Sequence, residues 1–190
     1  MKAETICLRC HQKCQLTAEV ENGKITRIVD SSLIIQTPPC VEACPLGMDI
    51  PGYITAVSQG RFDEAIEIIR DTNPLPLVCG RICHHPCELE CKRVAVDEAT
   101  AIQWIKRFAA DRALKSGKNT PDATEKTKSE KIAIIGSGPA GLTAAHDLAK
   151  EGYGVTVFES QPVAGGMMSS IIPEFKLPRN IVQADIDYIK

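Results

Sequence analysis

The chain has 190 residues, of which 44% are hydrophobic, and its formal net charge is −2 at pH 7. This balance of charges argues against a nucleic-acid-binding protein, because no basic stripe with interleaved aromatic residues is present. No apolar run approaches the ~20 residues of a membrane span, and the N-terminus lacks the apolar core of a signal peptide. The composition therefore predicts a cytoplasmic chain of one or two domains.

The cysteines are confined to the N-terminal half. All nine lie between Cys7 and Cys91. In a reducing compartment, clustered cysteines indicate metal binding more than disulfides, and an odd number weakens a closed disulfide framework further. They form three groups: Cys7, Cys10 and Cys14; Cys40 and Cys44; and Cys79, Cys83, Cys87 and Cys91.

The first predicted element is a small β-hairpin. Residues 16–30 alternate in polarity around Asn22-Gly23, the dipeptide that most favours a tight hairpin turn. Residues 1–38 are therefore predicted to combine the first cysteine group with this hairpin.

A mainly α-helical domain is predicted over residues 39–115. One short helix fits residues 53–58, and a second starts near Asp63, buries Ala65, Ile66 and Ile69, and ends at Asn73-Pro74. A longer helix fits residues 100–115. Its predicted apolar stripe consists of Ile102, Ile105, Phe108 and Ala109. The polar residues 116–130 are predicted to form a linker.

The last segment, residues 131–190, predicts the start of a dinucleotide-binding α/β domain. Strand KIAIIG, helix Pro139–Lys150 and strand YGVTVFE follow one another, and the turn between the first two reads G-x-G-x-x-G. Gly136 permits the tight turn, Gly138 lets the backbone approach a pyrophosphate, and Gly141 lets the helix pack closely on the strand.

An acidic residue follows the second strand at the place where a ribose diol is bound in such domains. This residue is Glu159, and its carboxylate disfavours a 2′-phosphate, so that FAD or NAD fits better than NADP. The candidate cofactor-binding residues are Gly136, Ser137, Gly138, Pro139, Ala140, Gly141, Glu159, Gly165 and Gly166.

The cysteine spacing favours iron-sulfur clusters. Cys40-x3-Cys44-Pro45 matches the end of a bacterial ferredoxin run, in which the last cysteine binds a different cluster from those before it. Two [4Fe-4S] clusters need about eight thiolates, and nine cysteines are present. Pro86 breaks any single helix through Cys79 to Cys91, which suits thiolates that diverge towards two clusters.

Two other metal chemistries compete with this interpretation. Cys7-x2-Cys10-His11 matches a haem-attachment pattern, but that chemistry normally occurs outside the cytoplasm. Structural zinc could use the same thiols with His11, His84 or His85, although the spacings lack the paired C-x2-C arrangement of common zinc modules. Zinc stays open as an alternative.

Both halves resemble one family. The segments CVEACPLGMDI and PLVCGRICHHPCELEC resemble the N-terminal double-cluster domain of glutamate synthase small-subunit-like oxidoreductases, which also opens dihydropyrimidine dehydrogenase and flavin-based NAD(P)H transhydrogenase subunits. The segment KIAIIGSGPAGLTAAHDLAKEGYGVTVFESQPVAGGMM is similar to the start of the FAD-binding domain in that family.

The resemblance implies that Cys44, Cys83 and Cys87 share one cluster, while Cys40 and Cys91 belong to the other. In several relatives a Glu or Gln on the following helix completes the first cluster. Here that position is occupied by Lys106, whose ammonium has no lone pair, so Cys79 becomes the candidate fourth ligand.

The N-terminal cysteines bring a second resemblance. CLRCHQKC followed by a hairpin is similar to the N-terminal cluster domain of molybdopterin oxidoreductases. Cys7, Cys10, Cys14, Cys40 and Cys91 therefore compete for four places in the second cluster.

The predicted fold class is α+β: a β-hairpin cluster element, a helical iron-sulfur domain and a partial Rossmann-like FAD-binding segment. The predicted function is an iron-sulfur flavoprotein component that transfers electrons between a flavin, ultimately NAD(P)H, and two [4Fe-4S] clusters. We expect a larger oxidoreductase subunit to complete the FAD domain and an electron donor or acceptor protein as a partner. The alternatives are a non-catalytic wiring or assembly subunit and a zinc-stabilised adaptor.

Overall fold

The computed structural model describes residues 37–117 and 125–190 in full, together with the backbones of three N-terminal strands. These strands, β1 (Lys2–Cys7), β2 (Cys14–Glu21) and β3 (Lys24–Ile28), form an antiparallel sheet in the order β1-β2-β3. Cys7 and Cys14 are backbone partners at one end of the β1-β2 pair. The predicted turn at Asn22-Gly23 and the residue Cys10 lie outside the described residues.

Short helices make up the cysteine-bearing part of the chain. They are α1 (Pro39–Glu42), α2 (Ile50–Ser58), α3 (Phe62–Thr72), α4 (Pro76–Ile82), α5 (Pro86–Leu89), a 3-10 helix (Lys92–Ala95) and α6 (Ile102–Lys115). Asp49 caps α2 by accepting a hydrogen bond from the Gly52 N–H at 2.9 Å. Asn73 ends α3, as predicted from the proline that follows it.

The run from Cys79 to Cys91 is broken between α4 and α5. Pro86 is the first residue of α5, a position where its missing N–H costs nothing. The preceding His85 has a left-handed backbone, with φ of 47°. The four cysteines therefore lie on two helices and the turns that follow them, and do not share one helical face.

Helix α6 buries most of the predicted apolar stripe, with one exception. Ile102 and Ala109 are buried as expected, but Phe108 is 47% exposed. Its ring packs edge-on against the ring of Phe62, with 5.5 Å between the two ring centroids. The buried face also contains Lys106, Ala110 and Ala113. Ile105 is half-buried against the same core, so the predicted stripe was wrong only at Phe108; the alanines on the buried face allow close helix packing. The predicted face of α3, by contrast, is buried at Ala65, Ile66 and Ile69.

The C-terminal segment has the predicted strand, helix and strand, followed by two helices that the sequence analysis missed. The strands β4 (Lys131–Ile135) and β5 (Gly154–Phe158) are parallel and are connected by α7 (Pro139–Lys150). The two further helices are α8 (Met167–Ser170) and α9 (Arg179–Ile189). The chain thus combines helices with a small parallel two-stranded sheet in a Rossmann-like segment.

Helix α9 joins this segment to the cysteine-bearing helices. Its side chains Ile181, Val182 and Ile186 belong to the same hydrophobic core as residues of α2, α3, α4 and α6. Asp185 lies on the same face, fully buried. Its carboxylate accepts hydrogen bonds from the N–H groups of Val78 at 2.9 Å and Leu77 at 3.4 Å.

Apolar side chains remain exposed where the parallel strands end. Ile135 is 92% exposed and Phe158 is 57% exposed. Within the part of the chain that the structure describes, no helix is long and apolar enough to cross a membrane.

Gly141 fixes the distance between α7 and the glycine turn. A Cβ atom at this position would lie 2.0 Å from the carbonyl oxygen of Gly136, so any larger residue must push the helix away. We therefore expect Gly141→Ala to lower the free energy of unfolding by roughly 1–3 kcal/mol through overpacking.

The measurement is denaturant-induced unfolding followed by circular dichroism. Gly154→Ala is the matched control in the same segment, because a Cβ there would lie 3.9 Å from its nearest neighbour, the Lys131 side chain. Equal stability losses in the two variants would contradict the steric explanation.

Candidate iron-sulfur and nucleotide-binding sites

The six described cysteines are brought together by α1, α4, α5 and the turns that follow them. Cys40 lies in α1, Cys79 in α4 and Cys87 in α5, whereas Cys44, Cys83 and Cys91 follow the ends of these three helices. All six are free thiols. The fold thus places each pair of cysteines one helical turn apart, in the same arrangement three times.

Electrostatic interactions show which thiols are neighbours. Burial raises the pKa of Cys40, and repulsion from Cys91 and Cys44 adds to this effect. Burial likewise raises the pKa of Cys87 to about 11, and Cys44 and Cys83 add to the increase. The Cys40 thiol therefore interacts with Cys91 and Cys44, and the Cys87 thiol interacts with Cys44 and Cys83.

Cys79 adjoins the second of these groups. Burial raises the pKa of Cys79, and Cys83 raises it further. The Lys106 ammonium and a hydrogen bond with the Asn73 side chain act in the opposite direction. The cysteines of α4 and α5 therefore meet in one neighbourhood with a buried cation.

Lys106 reaches this position because α4 and α6 touch. A Cβ atom at Gly80 would lie only 3.0 Å from the Cα atom of Arg107. Cys79 and Lys106 each lie one residue from this contact, and Lys106 is only 7% exposed. Its ammonium favours the thiolates of Cys79 and Cys87. A positive charge is thus fixed beside two candidate ligands.

Backbone N–H groups point at two of the sulfur atoms. The His85 N–H donates to Cys83 Sγ at 3.3 Å, and the Thr100 N–H donates to Cys91 Sγ at 3.4 Å. Burial alone would raise the pKa of Cys91, but hydrogen bonds from the backbone of Thr100 and Arg93 outweigh this effect and leave the pKa lowered. Such N–H groups stabilise the sulfur charge of an iron-sulfur site.

A second layer of hydrogen bonds fixes the turn after α4. Gln103 donates from its side chain to the carbonyl oxygen of Cys83 at 2.8 Å, and its backbone N–H donates to Glu88 at 2.8 Å. Gln103 and Asn73 were not among the predicted site residues, since a polar residue beside a helix end carries no signal in the sequence for the group that its side chain contacts.

The structure does not place all predicted ligands. The side chains of Cys7, Cys10 and Cys14 lie outside the described residues. Among residues 37–117 and 125–190, no three His, Cys, Asp or Glu side chains converge on one position for a single metal ion.

The glycine loop has an open surface at the N-terminus of α7. Gly136 has φ of 96°, in the left-handed region that favours glycine. A Cβ atom at Gly138 would meet no atom within 4 Å, which leaves space for a ligand in front of the helix. Pro139 and Ala140 form the first turn of α7, whose positive dipole end attracts phosphate. These features fit a dinucleotide pyrophosphate.

Glu159 is held beside this loop by Ser137. Its carboxylate accepts hydrogen bonds from the backbone N–H of Ser137 at 2.9 Å, from the Ser137 hydroxyl, and from the N–H of Gln161 at 2.8 Å. The Ser137 hydroxyl, followed by the backbone of Gln161, lowers the pKa of Glu159 to about 2. Glu159 is therefore an ionised acceptor at neutral pH.

The loop that contains Gly165 and Gly166 closes over the buried Ser137. The Gly165 N–H donates to both the carbonyl and the hydroxyl oxygen of Ser137 at 3.1 Å. A cavity of about 1010 Å³ extends from Ser137 and Glu159 between α3, α7 and α9. The predicted cofactor-binding residues are thus brought together at one edge of the parallel sheet, next to a large space.

Family models match the two halves of the chain separately. Residues 30–118 match dihydropyrimidine dehydrogenase domain II, 4Fe-4S cluster, and residues 134–185 match an NAD(P)-binding Rossmann-like domain. The first match covers the six described cysteines, and the second covers the glycine loop and Glu159.

Among curated proteins, the chain is 46% identical over 155 residues to the NADPH-Fe(3+) oxidoreductase subunit beta of Geobacter sulfurreducens, covering 80% of this chain and 23% of the relative. It is 44% identical over 175 residues to the NADP(+)-dependent formate dehydrogenase subunit beta of Moorella thermoacetica, covering 81% and 25%. It is 32% identical over 189 residues to the glutamate synthase [NADPH] small chain of Mycobacterium tuberculosis, covering 100% and 39%.

The chain spans about a quarter of the length of the first two relatives. The order of its two parts is the one that the sequence motifs predict. The chain therefore contains a 4Fe-4S domain of the dihydropyrimidine dehydrogenase domain II type, followed by an NAD(P)-binding Rossmann-like segment, and it is similar in both to glutamate synthase small chains.

Proposed function

We propose that this chain is the iron-sulfur flavoprotein part of an NAD(P)H-dependent oxidoreductase, with two [4Fe-4S] clusters and one FAD. The observation that carries the proposal is the shared core. Side chains of α9 join the helices around the six described cysteines to the segment that carries the glycine loop and the ionised Glu159. When bound, FAD would exchange hydride with a nicotinamide and single electrons with the clusters.

The first cluster is assigned to Cys44, Cys79, Cys83 and Cys87. The electrostatic contacts of Cys87 with Cys44 and Cys83, and of Cys79 with Cys83, support this set. These thiolates would hold the iron, while the His85 N–H and the Lys106 ammonium stabilise the negative charge of the site.

The second cluster is assigned to Cys40 and Cys91 with thiols of the N-terminal element. The electrostatic interaction of the Cys40 thiol with Cys91 supports this pairing. Cys7, Cys10 and Cys14 would supply the other ligands, in a β-hairpin cluster element over residues 1–38. One of these five cysteines would then be spare.

FAD is assigned to the glycine loop. The N-terminus of α7 would hold its pyrophosphate, and Glu159 would accept hydrogen bonds from its ribose. The ionised Glu159 would repel a 2′-phosphate, so the NADPH in the names of the relatives is not the nucleotide that we place here. We infer that a larger subunit, or another part of the same protein, completes this domain, because Ile135 and Phe158 are exposed at the sheet.

A cluster-bearing wiring subunit without flavin is the second candidate. Its support is that the described parallel sheet has only two strands, whose exposed ends at Ile135 and Phe158 could equally contact a partner that supplies no flavin site. Cofactor analysis of the protein purified with its partner decides between the two, since iron without flavin would favour the wiring role.

The first prediction concerns the metal. We expect the anaerobically purified protein to contain iron and acid-labile sulfide. It should also show the broad absorption band of iron-sulfur clusters in the blue part of the spectrum, and reduction by dithionite should weaken this band. If metal analysis finds zinc in place of iron, the proposal is wrong and the zinc-stabilised structural adaptor is the remaining candidate.

The second prediction concerns the fourth ligand of the first cluster. We expect Cys79→Ala to lose about half of the iron, because one of two clusters loses a thiolate. Lys106→Glu in the same chain should restore iron, since a carboxylate would then lie beside the empty ligand position. The measurement is iron per protein after anaerobic purification.

The neighbouring Val78→Ala is the control for this pair, because it removes a buried side chain of α4 without removing a sulfur atom. If Cys79→Ala keeps all its iron, the assignment of Cys79 is wrong.

The third prediction concerns the ribose site. Glu159→Gln should weaken FAD binding, because it replaces an ionised acceptor by a neutral amide and loosens Ser137. The measurements are the FAD content of the purified protein and the dissociation constant for FAD, both determined with the partner present. Glu151→Gln, a surface change at the end of α7, should leave both unchanged; equal weakening by the two variants would rule out a specific role.

A further inference from the structure

A buried carboxylate of the nucleotide-binding segment touches the helix that carries Cys79. Asp185 lies on α9, is fully buried, and accepts hydrogen bonds from the backbone of Leu77 and Val78 in α4. Aspartate is almost never buried without partners, so these two contacts are the reason for its position.

The two N–H groups are those that α4 cannot satisfy by itself. Pro76 begins the helix and has no N–H, and the first bond within the helix runs from the Cys79 N–H to the Leu75 carbonyl oxygen at 3.0 Å. Leu77 and Val78 lie between these points. Asp185 therefore caps α4 from a distant part of the chain, directly before the candidate ligand.

Charged groups from several elements surround this contact. Arg70 of α3 and Arg81 of α4 attract the Asp185 carboxylate. Arg70 also stacks on the ring of Tyr188, 3.8 Å from its centroid, and Arg81 bonds to Asp111 of α6 at 2.8 Å. Burial nevertheless raises the pKa of Asp185 to about 7. The carboxylate thus links α9 to the helices around the cysteines.

We propose that Asp185 is a positioning residue of the iron-sulfur site, which holds α4 and Cys79 in place and adds a negative charge near the cluster. This inference rests on the proposed function. A buried negative charge disfavours the addition of an electron nearby, so the Asp185 carboxylate would lower the reduction potential of the cluster that includes Cys79. The nucleotide-binding segment would in this way tune the cluster that it adjoins.

The test compares Asp185→Asn with Asp187→Asn at mildly alkaline pH. Both variants remove one negative charge from α9, but Asp187 is 58% exposed and pairs with Lys190. Anaerobic hydrogen exchange should show the Leu77 and Val78 amides exchanging roughly tenfold faster in Asp185→Asn, as expected for a weakened hydrogen bond to a charged group. Asp187→Asn should leave these amides unchanged.

The second readout is a redox titration followed by electron paramagnetic resonance. The potential of one cluster should move upwards in Asp185→Asn, and the shift in Asp187→Asn should be absent because solvent screens an exposed charge. Asp185→Ser, which is neutral and keeps a hydroxyl acceptor, replaces the asparagine variant if that variant does not fold.

Two outcomes overturn the inference. Unchanged exchange of the Leu77 and Val78 amides in Asp185→Asn would show that Asp185 does not hold α4. Faster exchange with an unaltered reduction potential and paramagnetic resonance spectrum of the cluster would show that Asp185 stabilises only the packing of α9 on α4. A chain that binds zinc would contradict the proposed function instead, while the amide exchange would still decide the contact with α4.

Discussion

The packing of α9 against α4 is the constraint on which the arrangement of the two sites depends. The cysteine-bearing helices α1 and α5 have four residues each and bury little apolar surface. They gain a common core only because longer helices and α9 enclose them. The same helix contacts α7, which starts at the glycine loop. The distance between the cysteines and the nucleotide loop is therefore set by one helix whose apolar face serves both parts.

Short helices separated by turns are well suited to cluster ligands. A thiolate at a helix end can accept a backbone N–H bond, as Cys83 and Cys91 do, whereas sulfur in the middle of a long helix finds every neighbouring N–H already used. The left-handed backbone of His85 directs its N–H towards Cys83. Bound metal would in turn cross-link helices that contribute little stability by themselves.

Local patterns predicted much of this fold. The face of α3, the glycine loop and the break before Pro86 follow from periodicity, glycine spacing and proline chemistry, all of which act within a few residues. The burial of Lys106 and the contacts of Gln103 with Cys83 and Glu88 depend on helices that pack from distant parts of the chain, so no local pattern could show them. Helix α9 was missed although Ile181, Val182 and Ile186 mark an amphipathic helix; Asp185 on that apolar face was the available signal for a buried polar contact.

The unequal acidity of the thiols has a consequence for the reactivity of the metal-free chain. Burial raises the pKa of Cys40, Cys79 and Cys87, whereas backbone N–H groups lower the pKa of Cys91. In the metal-free chain Cys91 is thus the thiol most readily ionised at neutral pH, and so the most nucleophilic of these four. Of these four thiols, Cys91 is therefore the one that an oxidant or an electrophile would modify first in the metal-free chain.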